Sequence, residues 1–582
     1  MFSLHTPLDD TLRAELAEYD DLTASLLARR GITSKGEAER FLKPSYNEHL
    51  HDPLLMTDMK KAAERLAKAI LTKERIAVWS DYDCDGGPGG VLMHDFLKKA
   101  GAVFENYIPH RHLEGYGMNV RGVEKLAEHG VGLIVTVDSG ITDVEPVARA
   151  RELGMDVIVT DHHLPRLAEA SSGGGPELPN AYAIVDPKAR GDETYPFKEL
   201  CGAGLAWKLV CATLATASEL RERVPEGWEK WLLDMAGLAT IADMVPLVGE
   251  NRVLATYGLL VLRKSPRLGL QKLCRVMRVD QRRFTEDDVG FMLAPRVNAA
   301  SRMGDAYDVL RLFTTGDEAE AERLAKGLDA ANRQRKAAAG AITRAVHARL
   351  SERGVVRDVI ALGDPEWRPA LLGLVANNIA EEYGRPVFLW GREGNMSVKG
   401  SVRSGGSIHA LALMNAAGDV FVEFGGHAAS GGFTLCEDAV FSLEDRLVEA
   451  AQLLAGEGAK SETLLMQADA ELSPDEATLS LLASLGRLAP FGMGNPKPLF
   501  LMREVSVEKV VRFGKGNEHL KLSITRAEEP LQAITFFAKG ELARRADALV
   551  AGGRANILAH LERDAFTRGQ PVRLRLVDLS LL

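Results

Sequence analysis

The 582-residue sequence predicts an α/β protein in which two α/β domains are joined by a long helix and followed by a small β-barrel. Three observations predict this architecture. Strand and helix patterns alternate to about residue 316, which is typical of a parallel sheet with helices on both faces. A polar run rich in Ala, Glu and Arg follows, with only Gly327 and Gly340 interrupting it. From about residue 458, short alternating strands separated by turn residues indicate a barrel of the OB type.

These patterns divide the chain into five regions. We expect an N-terminal helical segment, a first α/β domain, a linker helix, a second α/β domain and the barrel, over residues 1–50, 51–316, 317–353, 354–457 and 458–582.

Composition narrows the class of protein. A hydrophobic content of 46% and a charged content of 26% are typical of a soluble globular protein, and no apolar run is long enough to cross a membrane. The five cysteines are scattered without a CxxC pair, which favours reduced thiols over disulfides or a zinc ribbon. The N-terminus lacks the basic start and apolar core of a signal peptide, so we expect a cytoplasmic location.

Four short segments place acids and histidines where strands should end: SDYDCDGG, TVDSG, VTDHHLP and TIADMVP. Apolar runs directly precede three of them, as expected of buried parallel strands. Ligands of open α/β sheets bind at the carboxyl ends of the strands. We therefore expect one set of side chains to converge there: Asp81, Asp83, Asp85, Asp138, Asp161, His162 and His163.

So many carboxylates in one place would repel one another unless a divalent cation lay between them. Carboxylates mixed with imidazoles suit manganese, magnesium or zinc, and the lack of a nearby cysteine pair argues against a structural zinc. DYDCDG could also imitate a calcium loop, but the closing Glu of such a loop is missing. The GGPGG that follows is expected to be a turn before a short helix, and Asp243 is expected at a helix end.

The order DYDCDG, VDSG, DHH and IAD resembles the DHH phosphoesterase superfamily, and more narrowly its RecJ family of single-strand-specific DNA exonucleases. Further segments with counterparts in that family are EGYGMN, CGAGLAWKL, APRVNAASRMGDA, KGSVRS, FGGHAASGG and LAPFGMGNPKPLF. The resemblance covers nearly the whole chain. It implies that the two α/β domains are the DHH and DHH-associated domains and that the barrel is an OB-fold.

The resemblance implies a site for two Mn²⁺ or Mg²⁺ ions. Asp138 would bridge them, Asp83 would bind one ion with Asp81, and the other ion would be bound by Asp85, His162 and Asp243. His163 would lie beside the reacting phosphate, to stabilise the transition state or protonate the leaving oxygen. Asp161 is expected to orient a histidine and not to bind metal.

The resemblance also implies a phosphate-binding set: Arg296, Asn298, Arg302, Ser401 and Arg403. In FGGHAASGG, the backbone around Gly426 and the imidazole of His427 could approach a phosphate, although a Gly-rich turn with a structural His is the alternative from the residues alone. An anchored 5′-terminal phosphate would explain the polarity of an exonuclease.

The function expected from the resemblance is metal-dependent degradation of single-stranded DNA in the 5′ to 3′ direction to mononucleotides, in DNA repair and recombination. The expected partners are single-stranded DNA, single-strand-binding protein and a RecQ-type helicase, with no membrane. The alternatives are a phosphodiesterase of short oligonucleotides or cyclic dinucleotides, and a non-catalytic single-strand-binding scaffold. The net charge of −10 is unusual for a nucleic-acid enzyme, so we expect a locally basic channel.

The sequence departs from the family at a few positions. Residues 87–90, Gly-Pro-Gly-Gly, stand where small hydroxyl residues are usual, and Asn378 stands where an arginine is common. All expected metal ligands are present, so we expect an active enzyme.

Overall fold

The computed structural model describes residues 2–167, 175–191, 193–392, 397–406, 408–455, 466–514, 516–538, 540–549, 552–564, 567, 569 and 571–582. The expected boundary at residues 457–458 lies outside the described residues. The chain forms two compact units. The first comprises Met1–Asn298, Ala306–Lys326 and Leu465–Leu582, and the second comprises Ala299–Asp305 and Gly327–Leu464.

The first unit begins with one short strand and three helices: β1 (Ser3–Leu4), α1 (Asp10–Glu15), α2 (Asp21–Ala28) and α3 (Lys35–Leu42). A capping box between Ser34 and Glu37 starts α3. This N-terminal segment shares its core with the C-terminal barrel, since Leu26 and Leu27 belong to the same buried cluster as Phe500. The segment is therefore built into the barrel's fold.

The chemistry-bearing domain is a parallel sheet between helices. Its elements are α4 (Met59–Leu71), β2 (Arg75–Ser80), α5 (Gly86–Ala100), β3 (Val103–Tyr107), α6 (Val120–Glu128), β4 (Leu133–Val137), α7 (Val144–Glu152), β5 (Asp156–Thr160), β6 (Arg166–Leu167), β7 (Pro176–Glu177), β8 (Ala183–Val185), α8 (Gly202–Thr216), α9 (Leu233–Ala242), α10 (Gly249–Leu262), α11 (Leu268–Met277), α12 (Ala294–Met303) and α13 (Tyr307–Thr314). The sheet order is β3-β2-β4-β5-β8, with all neighbours parallel. This confirms the predicted parallel sheet.

The expected turn at GGPGG is wrong, because α5 already begins at Gly86. Close packing explains the glycines. A Cβ on Gly86 would lie 2.6 Å from Asp81 Cβ, and one on Gly89 would lie 2.5 Å from Val137 Cγ1. Pro88 is tolerated because the first turn of a helix has no internal partner for its N–H groups. Helix α5 thus lies against the ends of β2 and β4 at a distance that only glycine permits.

Helices α9 and α10 cross at a similar backbone contact. A Cβ on Gly237 would lie 2.5 Å from Gly258 Cα, and the reverse distance is also 2.5 Å. Asp243 directly follows α9 as its C-terminal cap, which confirms the prediction that it lies at a helix end. The contact between the two helices therefore fixes where Asp243 stands.

The second α/β domain follows α14 (Glu318–Arg353), a helix that runs from the first unit into the second. Its elements are β9 (Ile360–Gly363), α15 (Pro369–Tyr383), β10 (Val387–Gly391), β11 (Lys399–Arg403), α16 (Ala410–Ala416), β12 (Phe421–Gly426), β13 (Ser430–Leu435) and α17 (Leu443–Ala455). The sheet order is β12-β13-β11-β10-β9, and FGGHAASGG forms the turn of the β12–β13 hairpin.

The C-terminal region forms a closed barrel. Its elements are β14 (Gln467–Ala468), β15 (Ala470–Glu471), α18 (Leu479–Leu485), β16 (Phe500–Phe513), β17 (His519–Ile524), β18 (Leu531–Thr535), α19 (Gly540–Ala548), β19 (Gly553–Arg563) and β20 (Val572–Leu581). Strands pair in the order β16-β17-β18-β20-β19, and β19 pairs back to β16. A closed five-stranded barrel is the predicted OB architecture.

We predict that Gly237→Ala lowers the free energy of unfolding of the first unit by about 1–3 kcal/mol, the usual cost of overpacking a core. The added methyl group would meet the backbone of α10 at Gly258. Urea unfolding followed by circular dichroism measures the change. Gly36→Ala is the matched control, since a Cβ there would have no heavy atom of the described residues within 4 Å. Equal stability of the two variants would contradict the backbone contact.

Candidate metal centre

Four neighbouring strands each end in an aspartate at the same edge of the sheet. The N–H of Asp81 donates to Val137 O (3.2 Å), that of Asp138 to Thr160 O (3.0 Å), and that of Asp161 to Val185 O (3.2 Å). Asp186 follows β8, the next strand in the row. Parallel register thus sets Asp81, Asp138, Asp161 and Asp186 side by side, which is the convergence that the strand-end pattern predicts.

The side chains around this row form three overlapping groups that could each hold a metal ion, with ligand atoms within 4.8 Å of one another: Asp81, Asp83 and Asp138; Asp138, His162 and His163; and Asp85, His162 and Asp243. The Nε2 atom of His162 lies 3.2 Å from Asp138 Oδ1, 3.7 Å from Asp85 Oδ2 and 3.8 Å from Asp243 Oδ2. Asp138 belongs to two of the groups and His162 to two, so these two side chains link all three groups.

Burial makes the cluster electrostatically unfavourable for charged carboxylates. Burial and neighbouring aspartates raise the pKa of Asp81 and of Asp138 well above the usual range. The same causes raise the pKa of Asp85 to about 6 and that of Asp243 to about 8. Burial and the nearby His163 lower the pKa of His162 to about 3, so its ring is neutral at physiological pH. Positive charge placed among these carboxylates would relieve their repulsion.

The residues fit a pair of divalent cations. Asp81 Oδ1 and both ring nitrogens of His162 are buried and have no hydrogen-bond partner among the residues that the structure describes. Buried polar atoms are ordinarily satisfied. Carboxylate oxygens with a neutral imidazole nitrogen are a donor set suited to manganese or magnesium.

The first residues of helix α8 hold a carboxylate of the site, a role that was not expected from the sequence. The N–H groups of Gly202 and Ala203 donate to Asp85 at 2.6 and 2.8 Å, so the start of the helix holds this carboxylate. A Cβ on Gly202 would lie 2.5 Å from Asp138 Cβ. The signal was CGAGLAWKL, where glycines begin an apolar helix. Asp83 is held by the N–H groups of Asp85 and Gly86 at 2.7 and 3.2 Å.

The carboxylate of Asp161 is occupied by hydrogen bonds to backbone N–H groups and by its contact with His163. Its carboxylate accepts the N–H of Ile141 (3.0 Å), His162 (2.7 Å) and His163 (3.2 Å), and its Oδ1 lies 2.8 Å from Nδ1 of His163. It is absent from the three ligand groups among the described residues. Although burial lowers it, the bond to Asp161 raises the pKa of His163 to about 9. Asp161 therefore fixes the orientation of the His163 ring.

Two further residues of the site escaped the sequence prediction. The hydroxyl of Tyr116 lies 3.0 Å from Asp138 O and 3.1 Å from His163 Nδ1. The guanidinium of Arg111 lies 4.6 Å from the ring centroid of Tyr82. In the sequence, Tyr82 stands between Asp81 and Asp83. Both residues follow strand β3: Tyr116 lies in EGYGMN and Arg111 lies just before it. Neither an apolar run nor a characteristic spacing marks them in the sequence.

The fourth aspartate of the row, Asp186, was not expected from the sequence. The residue is 2% exposed, its carboxylate accepts the N–H of Lys188 at 2.7 Å, and burial and Asp161 raise its pKa to about 8. The strand before it, AIV, is too short to draw attention. Among the described residues, Asp186 belongs to none of the three groups.

The expected phosphate-binding residues fall in both units. Helix α12 carries Arg296, whose guanidinium donates to Met292 O at 2.6 Å, and Asn298, whose side-chain oxygen is buried without a partner among the described residues. Both belong to the first unit, whereas Arg302, Ser401, Arg403, Gly426 and His427 belong to the second.

Within the second unit, three of these residues gather at the first turns of α15. Arg302 donates to Ala370 O. A Cβ on Gly373 would lie 3.0 Å from Arg403 Nη2 and 3.5 Å from Ser401 Oγ, so both strand residues face this glycine. Burial lowers the pKa of Arg403, which is nonetheless far too basic to lose its charge.

His427 is exposed in the turn of the β12–β13 hairpin, where its N–H donates to Ser430 O at 2.7 Å. Ser430 pairs with Arg403 across β13 and β11, so the turn lies at the same end of the sheet as Arg403. Gly426 has φ +151°, and a Cβ there would lie 2.3 Å from Ser430 O. The turn therefore requires glycine at this position.

Three family descriptions match the chain: the N-terminal domain of the DHH family over residues 75–240, the DHHA1 domain over 352–455, and the RecJ OB domain over 468–578. Along its whole length the chain is 36% identical to a Bacillus subtilis protein named single-stranded-DNA-specific exonuclease RecJ, of which it covers 71%.

The fold is similar to that of RecJ from Thermus thermophilus. The Mn²⁺ complex of that protein superimposes with a TM-score of 0.80 at 29% identity, covering 100% of this chain and 79% of that one. Its Mg²⁺ complex gives a TM-score of 0.74 at 27% identity, covering 100% and 78%. The motifs, the domain order, the fold and the extent of identity agree, and the chain belongs to the RecJ family.

Proposed function

We propose that this protein is a divalent-cation-dependent exonuclease of single-stranded DNA that works from the 5′ end and releases mononucleotides. The observation that carries the proposal is the overlap at Asp138 of two groups that could each hold a metal ion, in a chain of the RecJ family. The curated relative in Bacillus subtilis is named for single-stranded-DNA-specific exonuclease activity.

Two of the groups support the proposed ligand assignment: Asp81 and Asp83 would hold one Mn²⁺ or Mg²⁺ ion, and Asp85, His162 and Asp243 the other. Asp138, which is grouped with Asp81 and Asp83 and lies 3.2 Å from His162 Nε2, would be shared. Held by these residues, divalent cations would supply a nucleophilic hydroxide and neutralise charge on the phosphate. His162 is ready to act as a ligand because its ring is neutral.

His163 is the proposed general acid. Asp161 occupies its Nδ1, which leaves Nε2–H as the proton donor. Hydroxide forms a bond to phosphorus as the bond from phosphorus to the 3′-oxygen breaks, and Nε2 gives its proton to that oxygen. The products are a nucleoside 5′-phosphate with a 3′-hydroxyl and a strand shortened by one nucleotide.

The 5′-terminal phosphate is assigned to Arg302, Ser401 and Arg403, which gather at the start of α15, with Gly426 and His427 in the adjacent hairpin turn. Two guanidinium groups and a hydroxyl match a dianionic phosphate. Arg296 and Asn298, on the part of α12 that belongs to the first unit, remain proposed phosphate-binding residues. Fixing the 5′ end gives the enzyme its polarity.

The barrel would bind the strand beyond the cleaved nucleotide, as OB-folds do with stacking and electrostatic contacts. Family membership alone supports a role in DNA repair and recombination in the cytoplasm, with single-strand-binding protein and a RecQ-type helicase as partners. Throughout the part of the chain that the structure describes, no helix has the length and apolar character needed to cross a membrane.

We predict that Asp138→Asn lowers cleavage of single-stranded DNA by at least about 100-fold, because charge stabilisation by metal ions is worth several kcal/mol. Asparagine is the informative substitution since Asp138 has φ +62°, a conformation that asparagine tolerates and alanine does not. Because the variant has one buried negative charge fewer, its melting temperature in EDTA should be higher than that of wild type. Adding Mn²⁺ should raise the melting temperature of wild type but not that of the variant.

The matched control for this prediction is Asp186→Asn, the same change in the same row but outside the three groups. It should retain Mn²⁺-dependent cleavage and Mn²⁺-dependent stabilisation. Full activity of Asp138→Asn would contradict the shared-ligand assignment.

We predict that Arg403→Gln removes the preference for a 5′-phosphate. KM for 5′-phosphorylated strands should rise at least about tenfold, the loss of one charge-assisted contact, while cleavage of 5′-hydroxyl strands changes little. Arg446→Gln, which removes a surface guanidinium paired with Asp419 in the same unit, is the control. Equal losses on both kinds of strand would argue against a terminal-phosphate contact.

A further inference from the structure

The phenol of Tyr116 contacts two parts of the active site at once. Its hydroxyl lies 3.0 Å from the backbone oxygen of Asp138 and 3.1 Å from Nδ1 of His163, and the two rings meet edge to face with centroids 5.7 Å apart. We propose that Tyr116 is a positioning residue that holds the His163 ring in the orientation from which Nε2 protonates the leaving oxygen. This inference rests on the proposed function.

The loop that carries Tyr116 is fixed on both sides. Gly115 and Gly117 flank it with φ +84° and +79°. Before it, Glu114 accepts the Tyr107 hydroxyl at 2.5 Å and the N–H of His110 at 2.7 Å.

After Tyr116, the buried carboxylate of Asp143 accepts the N–H of Met118 at 2.7 Å. A Cβ on Gly117 would lie 2.7 Å from that carboxylate, so the turn can only be made with glycine. These contacts hold the Tyr116 hydroxyl at a fixed position.

The hydrogens determine which atom donates. A phenol has one proton, and the carbonyl oxygen of Asp138 can only accept, so Tyr116 donates to Asp138. The contact between Tyr116 and His163 then requires Nδ1–H as the donor. Asp161, 2.8 Å from the same nitrogen, also requires Nδ1–H. Both neighbours therefore fix the same proton on Nδ1, and together they restrict rotation of the ring.

The contact to Asp138 ties the histidine to the shared metal ligand. Asp138 has φ +62°, an unfavourable conformation for a residue other than glycine, and its carbonyl oxygen faces the phenol. Tyr116 thereby sets the His163 ring against the strand end that carries the bridging carboxylate. The distance between the His163 ring and the Asp138 strand end is therefore fixed by Tyr116.

The test is Tyr116→Phe in the full chain, which removes the hydroxyl and keeps the ring. Cleavage in Mn²⁺ is measured on a 5′-phosphorylated single strand, and on the same strand with sulfur in place of the first 3′-bridging oxygen. A thiolate leaves without a proton, so only the oxygen substrate needs the acid. Tyr257→Phe is the matched control, because it removes a phenol hydroxyl 3.3 Å from a backbone oxygen at Pro44, in a contact that includes none of the proposed site residues.

We expect Tyr116→Phe to lower kcat on the oxygen substrate about tenfold, with KM within twofold of wild type, and to change cleavage of the sulfur substrate less than twofold. Mn²⁺ binding by calorimetry should be unchanged, and Tyr257→Phe should match wild type on both substrates.

Equal losses on both substrates, weakened Mn²⁺ binding, or an unchanged kcat would each overturn the proposal. Failure of the proposed function itself is distinguishable. In that case wild-type protein would not cleave the oxygen substrate in Mn²⁺, or His163→Ala would be equally slow on both substrates.

Discussion

Buried carboxylates repel one another at one edge of the parallel sheet, and the surrounding elements are arranged around that row. Backbone hydrogen bonds set Asp81, Asp138 and Asp161 in one row, and burial raises the pKa of the first two well above the usual range. Such a cluster is charged and compact at neutral pH only when positive charge is supplied. A neutral ring at His162 and the membership of Asp138 in two of the three ligand groups suit a pair of divalent cations.

The surrounding helices are shaped to bring groups to this row. Helices α5 and α8 approach the strand ends through Gly86, Gly89 and Gly202, where a Cβ would come within 2.5–2.6 Å of a neighbouring atom. The start of α8 then donates two N–H groups to Asp85. Helix α9, fixed against α10 through Gly237, ends at Asp243. Glycine at these positions is therefore a requirement of the site, since larger residues would move its ligands outward.

The sequence predicts what depends on local patterns. An apolar run followed by an aspartate marks the ends of β2, β4 and β5, and parallel strands necessarily bring those ends together. The sequence predicts less where contacts between residues far apart in the chain determine the local structure. GGPGG has the composition of a turn, yet it starts a helix because strand residues lie against it. The N-terminal helices share a core with the barrel, and Tyr116 contacts His163 from another loop. Neither contact produces a periodic pattern in the sequence.

Electron paramagnetic resonance of the metal-free protein titrated with Mn²⁺ tests whether two cations share Asp138. Two ions about 3.5–4 Å apart are exchange-coupled. A shared Asp138 predicts a stoichiometry of two Mn²⁺ per chain and a coupled spectrum at saturation, and Asp138→Asn should convert this spectrum to that of isolated ions. Saturation with one ion, or two ions without coupling in the wild-type protein, would contradict it.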